Sequence, residues 1–323
     1  MTLHPPVTAF APQSISETAF ARSILNGLCA PQKHIESKWL YDAIGSQLFD
    51  AITELEEYYP TRTELGILQD NVASLQEFVS AHTALVELGS GSSIKTRTLL
   101  NALPGLQSYV PVDISQEHLQ AAAHQVAAEY ETLNVHPVVA DFTADIVLPS
   151  SLDNTSKILF FPGSTLGNFQ INNAARLLGR LRGMAGVTAF VIGVDLVKDT
   201  QTLVRAYDDK LGVTTAFNLN LLTRINRELG ADFDLSGFRH EARWKAGKSR
   251  IEMHLISKVA QRVELLGKTI RFAAGESIHT ENSHKYTREQ LQGLAHQNGW
   301  QMQKMWTDAD GLFGVALLTP APL

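Results

Sequence analysis

The chain has 323 residues, of which 44% are hydrophobic and 19% charged, so it can bury one large core or two intermediate ones. Its 27 basic and 33 acidic residues give a net charge of −6, which disfavours a nucleic-acid partner and leaves small molecules open. The single cysteine, Cys29, excludes an internal disulfide and a multi-cysteine zinc site, and we expect it to pack as a small apolar residue. The longest near-apolar run, which starts at Val187, is too short to cross a bilayer, and the opening residues lack the pattern of a secretory signal. We therefore expect a cytoplasmic protein with no membrane partner.

The first 80 residues have a helical pattern. In SKWLYDAIGSQLFDAITEL, apolar residues such as Leu40, Ile44 and Leu48 recur at helical spacing. Pro60 interrupts this pattern and precedes a second predicted helix.

From residue 83 onward, five short apolar runs alternate with helical stretches. They are TALVELGS, SYVPVDIS, VHPVVADF, KILFFPGS and VTAFVIGVDL. Strands that alternate with helices predict crossover connections and a parallel sheet that is buried on both faces. The sequence therefore predicts a doubly wound α/β domain.

Residues 198–286 interrupt this domain. They contain an amphipathic helix that ends at Gly230, and then two long strands, RIEMHLISKVAQRVEL and KTIRFAAGESIHT, joined by a Leu-Gly turn. The chain then returns to the α/β pattern with a helix capped by Thr287 and Gln290, followed by a hairpin around Asp310 and Gly311.

A parallel sheet that ends in an antiparallel hairpin is typical of class I, Rossmann-like methyltransferases. We therefore predict an α/β methyltransferase domain over 62–197 and 287–323. A second, α+β substrate-binding domain is predicted over 15–61 and 198–286.

A glycine-rich loop, VELGSGSSIKT, lies between the first predicted strand and a helix. Gly89 and Gly91 allow a tight turn and a close approach of a ligand to the helix start. The third glycine of a dinucleotide fingerprint is replaced by Ile94, which weakens NAD as the ligand without excluding it.

Carboxylates follow the next two predicted strands. Asp113, 22 residues after Gly91, is placed to accept the ribose hydroxyls of an adenosine, and Asp141 with Phe142 suits an adenine amino group and ring. Together with Glu87 and the two glycines, these residues favour an adenosyl cofactor.

Seven stretches in order resemble the histidine-specific Nα-methyltransferases of ergothioneine biosynthesis. They are KWLYDAIGS, EYYPTRTE, ELGSGSSIKT, GSTLGNF, DLVKDTQTLVRAYDD, GVTTAFNLNLL and FAAGESIHTENSHKY. The resemblance implies S-adenosyl-L-methionine as cofactor, and L-histidine with its mono- and dimethyl intermediates as substrates. It implies cofactor contacts at Tyr41, Gly89, Lys95, Asp113, Asp141 and Phe142, and substrate contacts at Tyr58, Gly163, Asn168, Tyr207, Glu281 and Ser283.

Methyl transfer to an amine needs an unprotonated nitrogen in line with the methyl group, so positioning can supply most of the catalysis. Asn168 follows the fourth predicted strand and can hold the substrate's amino or carboxylate group without adding a charge; its alternative role is to stabilise a turn. We predict Asn168 and Tyr41 as the catalytic residues. We expect the substrate pocket between the two subdomains.

The stretch GESIHTENSHKY is almost entirely polar. Regular strand alternation would put His279, Glu281 and Ser283 on one face and His284 on the other, which argues against a metal site. Glu281 and Ser283 can bond both nitrogens of an imidazole, although a purely solvated loop remains an alternative. Met253 on the neighbouring strand either packs against the same ring or is a core residue.

Three other functions remain open. An Nα-methyltransferase for another amino acid, such as tryptophan, would leave Glu281 and Ser283 unpaired at a cost of about 1–3 kcal/mol each. A nicotinamide-dependent oxidoreductase is disfavoured by Ile94 and the terminal hairpin. The third alternative is a non-catalytic adenosyl-ligand-binding protein. We expect a monomer that uses no metal.

Overall fold

The structure is a computed structural model that describes residues 17–80, 82–91 and 94–322. The chain forms two compact units. The first contains Pro60–Val197 and the segment that begins at Lys285, and the second contains Lys198–His284 and the segment that ends at Tyr59. The boundaries predicted at residues 62 and 287 lie two residues from these. The assignment of substrate binding to the second unit stays a prediction.

The helices and strands are given in chain order. The helices are α1 Glu17–Leu28, α2 Ala43–Thr53, α3 Pro60–Asn71, α4 Ile94–Ala102, α5 Gln116–Glu129, α6 Ile171–Arg182, α7 Thr200–Arg205, α8 Val213–Leu229 and α9 Arg288–Gln297. The strands are β1 Thr83–Leu88, β2 Leu106–Asp113, β3 Asn134–Val135, β4 Val138–Val139, β5 Ser156–Phe161, β6 Val187–Asp195, β7 Phe238–Lys245, β8 Arg250–Ser257, β9 Gln261–Leu265, β10 Lys268–Phe272, β11 Ser277–His284, β12 Trp300–Thr307 and β13 Phe313–Pro320.

The first unit is built on one sheet in the order β12-β13-β6-β5-β1-β2-β3, with β4 also beside β2. The strands from β6 to β4 are parallel, and β13 is antiparallel to both β6 and β12. This order confirms the predicted doubly wound sheet with a terminal antiparallel hairpin. The capping box at Thr287 and Gln290 is also present at the start of α9.

The core of the first unit lies on both faces of this sheet. All six residues of β1 are buried. Ala84, Val86 and Leu88 contribute to one apolar cluster and Leu85 to another. Alternate side chains of a strand point to opposite faces, so helices must cover both sides of the sheet.

The second unit contains an antiparallel sheet in the order β11-β8-β7 and a separate hairpin of β9 and β10. The hairpin turns at Leu266 and Gly267, as predicted, and both residues have positive φ. The two predicted long strands were wrong, because each is broken in two. At the first break the Ser257 hydroxyl donates to Val259 O at 2.8 Å, and residues 258–260 lie outside both strands. β7 was not predicted.

The structure bears on two expectations from composition, the packing of Cys29 and the length of the apolar segments. Cys29 directly follows the last residue of α1 and is exposed, so the expectation that it packs as an apolar residue was wrong. None of the helices within the described ranges is long and apolar enough to cross a membrane.

A buried ion pair fixes the place where the insertion begins and ends. Lys285 Nζ lies 2.6 Å from Asp195 Oδ2, and both side chains are fully buried. Tyr286 N donates to Asp195 O at 3.0 Å, and Val197 N donates to Tyr286 O at 3.1 Å. The outgoing and returning segments are therefore bonded to each other at the end of β6.

We expect Lys285→Met to lower the free energy of unfolding by about 3–5 kcal/mol, because the buried Asp195 carboxylate would lose its ion pair with the Lys285 ammonium. Replacing both residues with apolar ones should cost less than this single change. Denaturant unfolding would measure both effects. Glu129→Gln, which breaks the exposed pair with Arg97, is the matched control and should change stability little. An equally small effect for Lys285→Met would contradict the role of the pair.

Candidate functional site

The glycine-rich loop turns sharply between β1 and α4. Gly89 has φ +70° and Gly91 has φ +47°, values that glycine adopts without strain. Gly89 N donates to Val112 O at 2.8 Å, which joins the loop to the end of β2. The loop therefore lies at the carboxyl edge of the sheet, where open α/β sheets bind ligands.

The adenosine-binding residues expected from the sequence lie at this edge. Phe142 packs beside Gly89, since a Cβ placed on Gly89 would be 3.8 Å from Phe142 Cε1. Asp113 is the last residue of β2, and burial raises the pKa of its carboxyl group. Asp141 lies two residues after β4, which pairs with β2 at Val112 and Asp113. Its Oδ1 accepts from Thr143 N at 2.9 Å. An apolar ring, two carboxylates and a close glycine backbone fit an adenosine.

Lys95, in the first turn of α4, contacts a carboxylate that the sequence analysis did not single out. Its Nζ lies 2.5 Å from Glu64 Oε2, and the Glu64 side chain is fully buried. The same oxygen accepts from Gly163 N at 2.8 Å, so Glu64 joins two of the predicted site residues. A signal for Glu64 was available, because it lies on the buried stripe of α3 with Ile67 and Leu68. A carboxylate on an apolar helix face calls for a partner.

The loop after β5 carries Gly163 and Asn168 and is bonded at several points. Gly163 has φ +78° and Ser164 has φ 58°, a left-handed conformation that is uncommon for a residue with a side chain. Ser164 Oγ accepts from Asp195 N at 2.9 Å, and Gly167 N donates to Ser164 O at 2.8 Å. The loop ends in a short 3-10 turn whose last residue is the half-buried Asn168. Its catalytic role stays a prediction.

The predicted tyrosines of the second unit belong to one aromatic cluster. Tyr41 packs edge to face against Phe49 at 5.5 Å between ring centroids. Phe49 in turn packs against Tyr58 at 6.0 Å, and Tyr58 against Tyr207 at 6.2 Å. Tyr41, expected at the cofactor as well as in catalysis, thus lies with Tyr58 and Tyr207, two of the predicted substrate residues, in the second unit.

Tyr207 connects this cluster to β11. Its hydroxyl lies 2.7 Å from Ser283 Oγ, and both side chains are buried. The backbone of Tyr207 is held by His240, whose Nε2–H donates to Tyr207 O at 2.8 Å. His240 Nδ1 must then accept, and Asn218 Nδ2 donates to it at 2.9 Å. Burial lowers the pKa of His240, which favours this neutral form.

A bulge at Thr280 makes the predicted alternation of β11 wrong. His279 pairs with His254 on β8, but Glu281 pairs with Met253, so Thr280 is an extra residue. Residues directly opposite in an antiparallel pair share a face, and a one-residue shift reverses the face. The prediction had put His279 with Glu281 and Ser283, and His284 opposite. Instead Glu281 and Ser283 lie on the face of Met253, while His279 and His284 share the other face.

The histidine-bearing face carries its own polar network. Arg250 donates to Glu252, and His254 Nε2 donates to Glu252 Oε2 at 3.0 Å. Burial would raise the pKa of Glu252, but these two hydrogen bonds lower it to about 2. The rings of His254 and His279 are 5.1 Å apart. In the part of the chain that the structure describes, no three His, Cys, Asp or Glu side chains are grouped to hold a metal ion.

Glu87, on β1 two residues before Gly89, is a buried carboxylate bonded to neighbouring elements. Its side chain is 1% exposed, and Oε2 accepts from Tyr109 Oη and Thr96 Oγ1, each at 2.5 Å. The carboxyl group therefore joins β1, β2 and α4. Burial raises its pKa from 4.5 to about 7.

Comparison with known proteins gives consistent matches over most of the chain. A family model described as histidine-specific, S-adenosylmethionine-dependent methyltransferase matches residues 20–320. The histidine N-alpha-methyltransferase of Mycolicibacterium smegmatis is 42% identical over 305 residues, 93% of this chain and 94% of that protein. The protein of the same name from Mycobacterium tuberculosis is 42% identical over 306 residues, again 93% and 94%. Ergothioneine biosynthesis protein 1 of Neurospora crassa is 29% identical over 83% of this chain but only 31% of its own length.

We expect the pKa of Glu87 to make stability depend on pH. Between pH 4.5 and about 7 the folded protein holds a proton that the unfolded chain has lost, so the free energy of unfolding falls as pH rises. Glu87→Gln removes this titration. Relative to the parent, the variant should gain on the order of 3 kcal/mol between pH 5 and pH 8, measured by denaturant unfolding. A difference that stays constant over this range would show that Glu87 does not titrate there.

Proposed function

Because this chain belongs to the family of S-adenosylmethionine-dependent, histidine-specific methyltransferases, we propose that it places three methyl groups in succession on the α-amino nitrogen of L-histidine. The product of this reaction is hercynine, and the pathway is ergothioneine biosynthesis. The observation that carries the proposal is the family match over residues 20–320, which spans both units. The chain is a methyltransferase, and its cofactor is S-adenosylmethionine.

The first unit supplies the proposed cofactor site. Gly89 and Phe142 approach the adenosine, Asp113 accepts from the ribose hydroxyls, and Asp141 accepts from the adenine amino group. Lys95 and Tyr41 complete the proposed set of contacts. When bound, the cofactor supplies an electrophilic methyl group on a sulfonium, and the protein's own contribution is to place and shield the two reacting groups.

The α-amino group of the substrate must lose its proton before it can attack. Asn168 is proposed to hold this nitrogen through a neutral amide, because a carboxylate at that position would favour the unreactive ammonium form. Gly163, Tyr58 and Tyr207 are proposed to hold the rest of the amino-acid backbone. Tyr58 and Tyr207 are buried, so their rings also exclude water.

Recognition of the imidazole is proposed for β11. Glu281 and Ser283 share a face with Met253 and are 7% and 2% exposed. The carboxylate can accept an imidazole N–H, the hydroxyl can bond the other ring nitrogen, and the Met253 thioether can pack on the ring. Ser283 is also held by the Tyr207 hydroxyl, which fixes its position. An indole has one ring N–H and no second ring nitrogen, so it cannot bond both groups as an imidazole can, which favours histidine over tryptophan.

The proposed enzyme acts on a free amino acid as a monomer in the cytoplasm. The exposed thiol of Cys29 suits a reducing compartment. Size-exclusion chromatography with light scattering would test the monomer.

Incubation with L-histidine and S-adenosylmethionine, followed by mass spectrometry, tests the function. We expect a product that has gained three methyl groups, and no further gain because a quaternary nitrogen has no lone pair. L-tryptophan in a parallel reaction distinguishes the rival substrate. Cofactor binding without methyl transfer to either amino acid would contradict the proposal and favour a non-catalytic binding protein.

We expect Glu281→Gln to lower kcat/KM for histidine by about 10- to 100-fold, the loss of one hydrogen bond to a charged acceptor. The affinity for S-adenosylhomocysteine, measured by calorimetry, should stay within about twofold. Glu264→Gln is the matched control, since Glu264 is an exposed glutamate of β9 in the same unit. Equal activity of the Glu281 variant and the parent would exclude the assigned role.

A further inference from the structure

Glu64 is a buried carboxylate that contacts two proposed site residues from two different elements. Its Oε2 accepts from Lys95 Nζ at 2.5 Å and from Gly163 N at 2.8 Å. Lys95 belongs to α4, and Gly163 to the loop after β5. One oxygen of α3 therefore fixes a side chain proposed for the cofactor and a backbone amide proposed for the substrate.

The other carboxylate oxygen of Glu64, Oε1, is held in a buried position where it makes no hydrogen bond to the described residues. It is pressed against β6 at Gly193, where an added Cβ would lie 1.9 Å from it. A buried acceptor without a partner lowers stability, and such groups persist mainly where function requires them. The carboxylate is thus oriented so that Oε2 bonds to both Lys95 and Gly163, while Oε1 makes no hydrogen bond among the described residues.

The order of the strands indicates which end of the cofactor Lys95 serves. Asp113 ends β2, and Asp141 and Phe142 follow β4, so all three lie on one side of β1. Lys95 lies near Gly163, which follows β5 on the other side of β1, and a Cβ on Gly163 would be 3.8 Å from Lys95 Nζ. S-adenosylmethionine has an adenosine at one end and an amino-acid carboxylate at the other. An ammonium complements that carboxylate, and Lys95 uses one of its three N–H donors on Glu64.

We propose that Glu64 is a positioning residue that acts through Lys95 on the amino-acid end of the cofactor. Its bond to Gly163 N sets the start of the substrate loop by the same carboxylate. The ion pair holds the Lys95 ammonium in place before the cofactor arrives, so less side-chain freedom is lost on binding. This inference rests on the proposed function for the assignment of Lys95 to the cofactor.

The test compares two ligands that differ only at the amino-acid end. S-adenosylhomocysteine has that end, and 5′-methylthioadenosine lacks it. By calorimetry, we expect Glu64→Gln to weaken S-adenosylhomocysteine about tenfold and to change 5′-methylthioadenosine by less than about twofold, since glutamine keeps the shape but not the charge. Equal weakening of both ligands would show a general loss of structure, and unchanged S-adenosylhomocysteine binding would show no role. Either result overturns the proposal.

A double-mutant cycle tests whether Glu64 acts through Lys95. In a Lys95→Met background, Glu64→Gln should change the affinity for S-adenosylhomocysteine by less than about twofold. A second tenfold loss would mean that Glu64 acts by another route. Glu64→Asp, which keeps the charge on a shorter side chain, serves if the glutamine variant does not fold and should weaken S-adenosylhomocysteine selectively. Glu129→Gln, an exposed glutamate of the same unit, is the control.

These measurements separate the proposal from the proposed function, because no amino-acid substrate is present. If histidine is not methylated while the contrast between the two ligands holds, the role of Glu64 stands and the substrate assignment fails. If histidine is trimethylated but both ligands are weakened equally, the function stands and the role of Glu64 fails.

Discussion

The buried ion pair of Lys285 with Asp195 holds the first unit together at the point where the chain is interrupted. Charges without solvent need close partners, and the two groups are 2.6 Å apart with no exposure. The departing and returning segments meet there, so a long insertion leaves the order of the sheet intact and β13 can pair with β6. Asp195 N also donates to Ser164 Oγ, which connects the ion pair to the proposed substrate loop. Asp195 thus bonds to the returning end of the insertion and to Ser164, the left-handed residue of the loop after β5.

The second unit depends on a different constraint, the register of β11 on β8. The extra residue at Thr280 turns Glu281 to the face of Met253 and His279 to the opposite face. Two separate polar systems result. One contains Ser283 and Tyr207, whose backbone is held by His240. The other contains Glu252 with its arginine and histidine partners.

Much of the fold could be predicted from the sequence because its signals are local. Short, mostly apolar runs predicted the buried parallel strands, glycines predicted the tight loop after β1, and Thr287 with Gln290 predicted the start of α9. The bulge at Thr280 could not be predicted, since it depends on pairing with β8, a strand distant in sequence. β7 was missed because its inward positions include His240 and Ala242, which weakens the apolar alternation. Glu64 was missed although its signal was present, a carboxylate on the buried stripe of α3.

The bulge at Thr280 determines which side chains of β11 lie on the face proposed for the imidazole. Glu281 and Ser283, proposed to bind the imidazole, lie two residues apart on β11. The extra residue Thr280 places them on the face of Met253. A substitution at Glu281 or Ser283 alters one contact. Loss of the bulge by a register slip, with Thr280 paired to Met253, would instead exchange the whole face and present Asn282 and His284 in place of Glu281 and Ser283. In this strand, the register on β8 therefore affects the proposed specificity more than the identity of any one side chain does, and a change of register leaves the glycine-rich loop untouched.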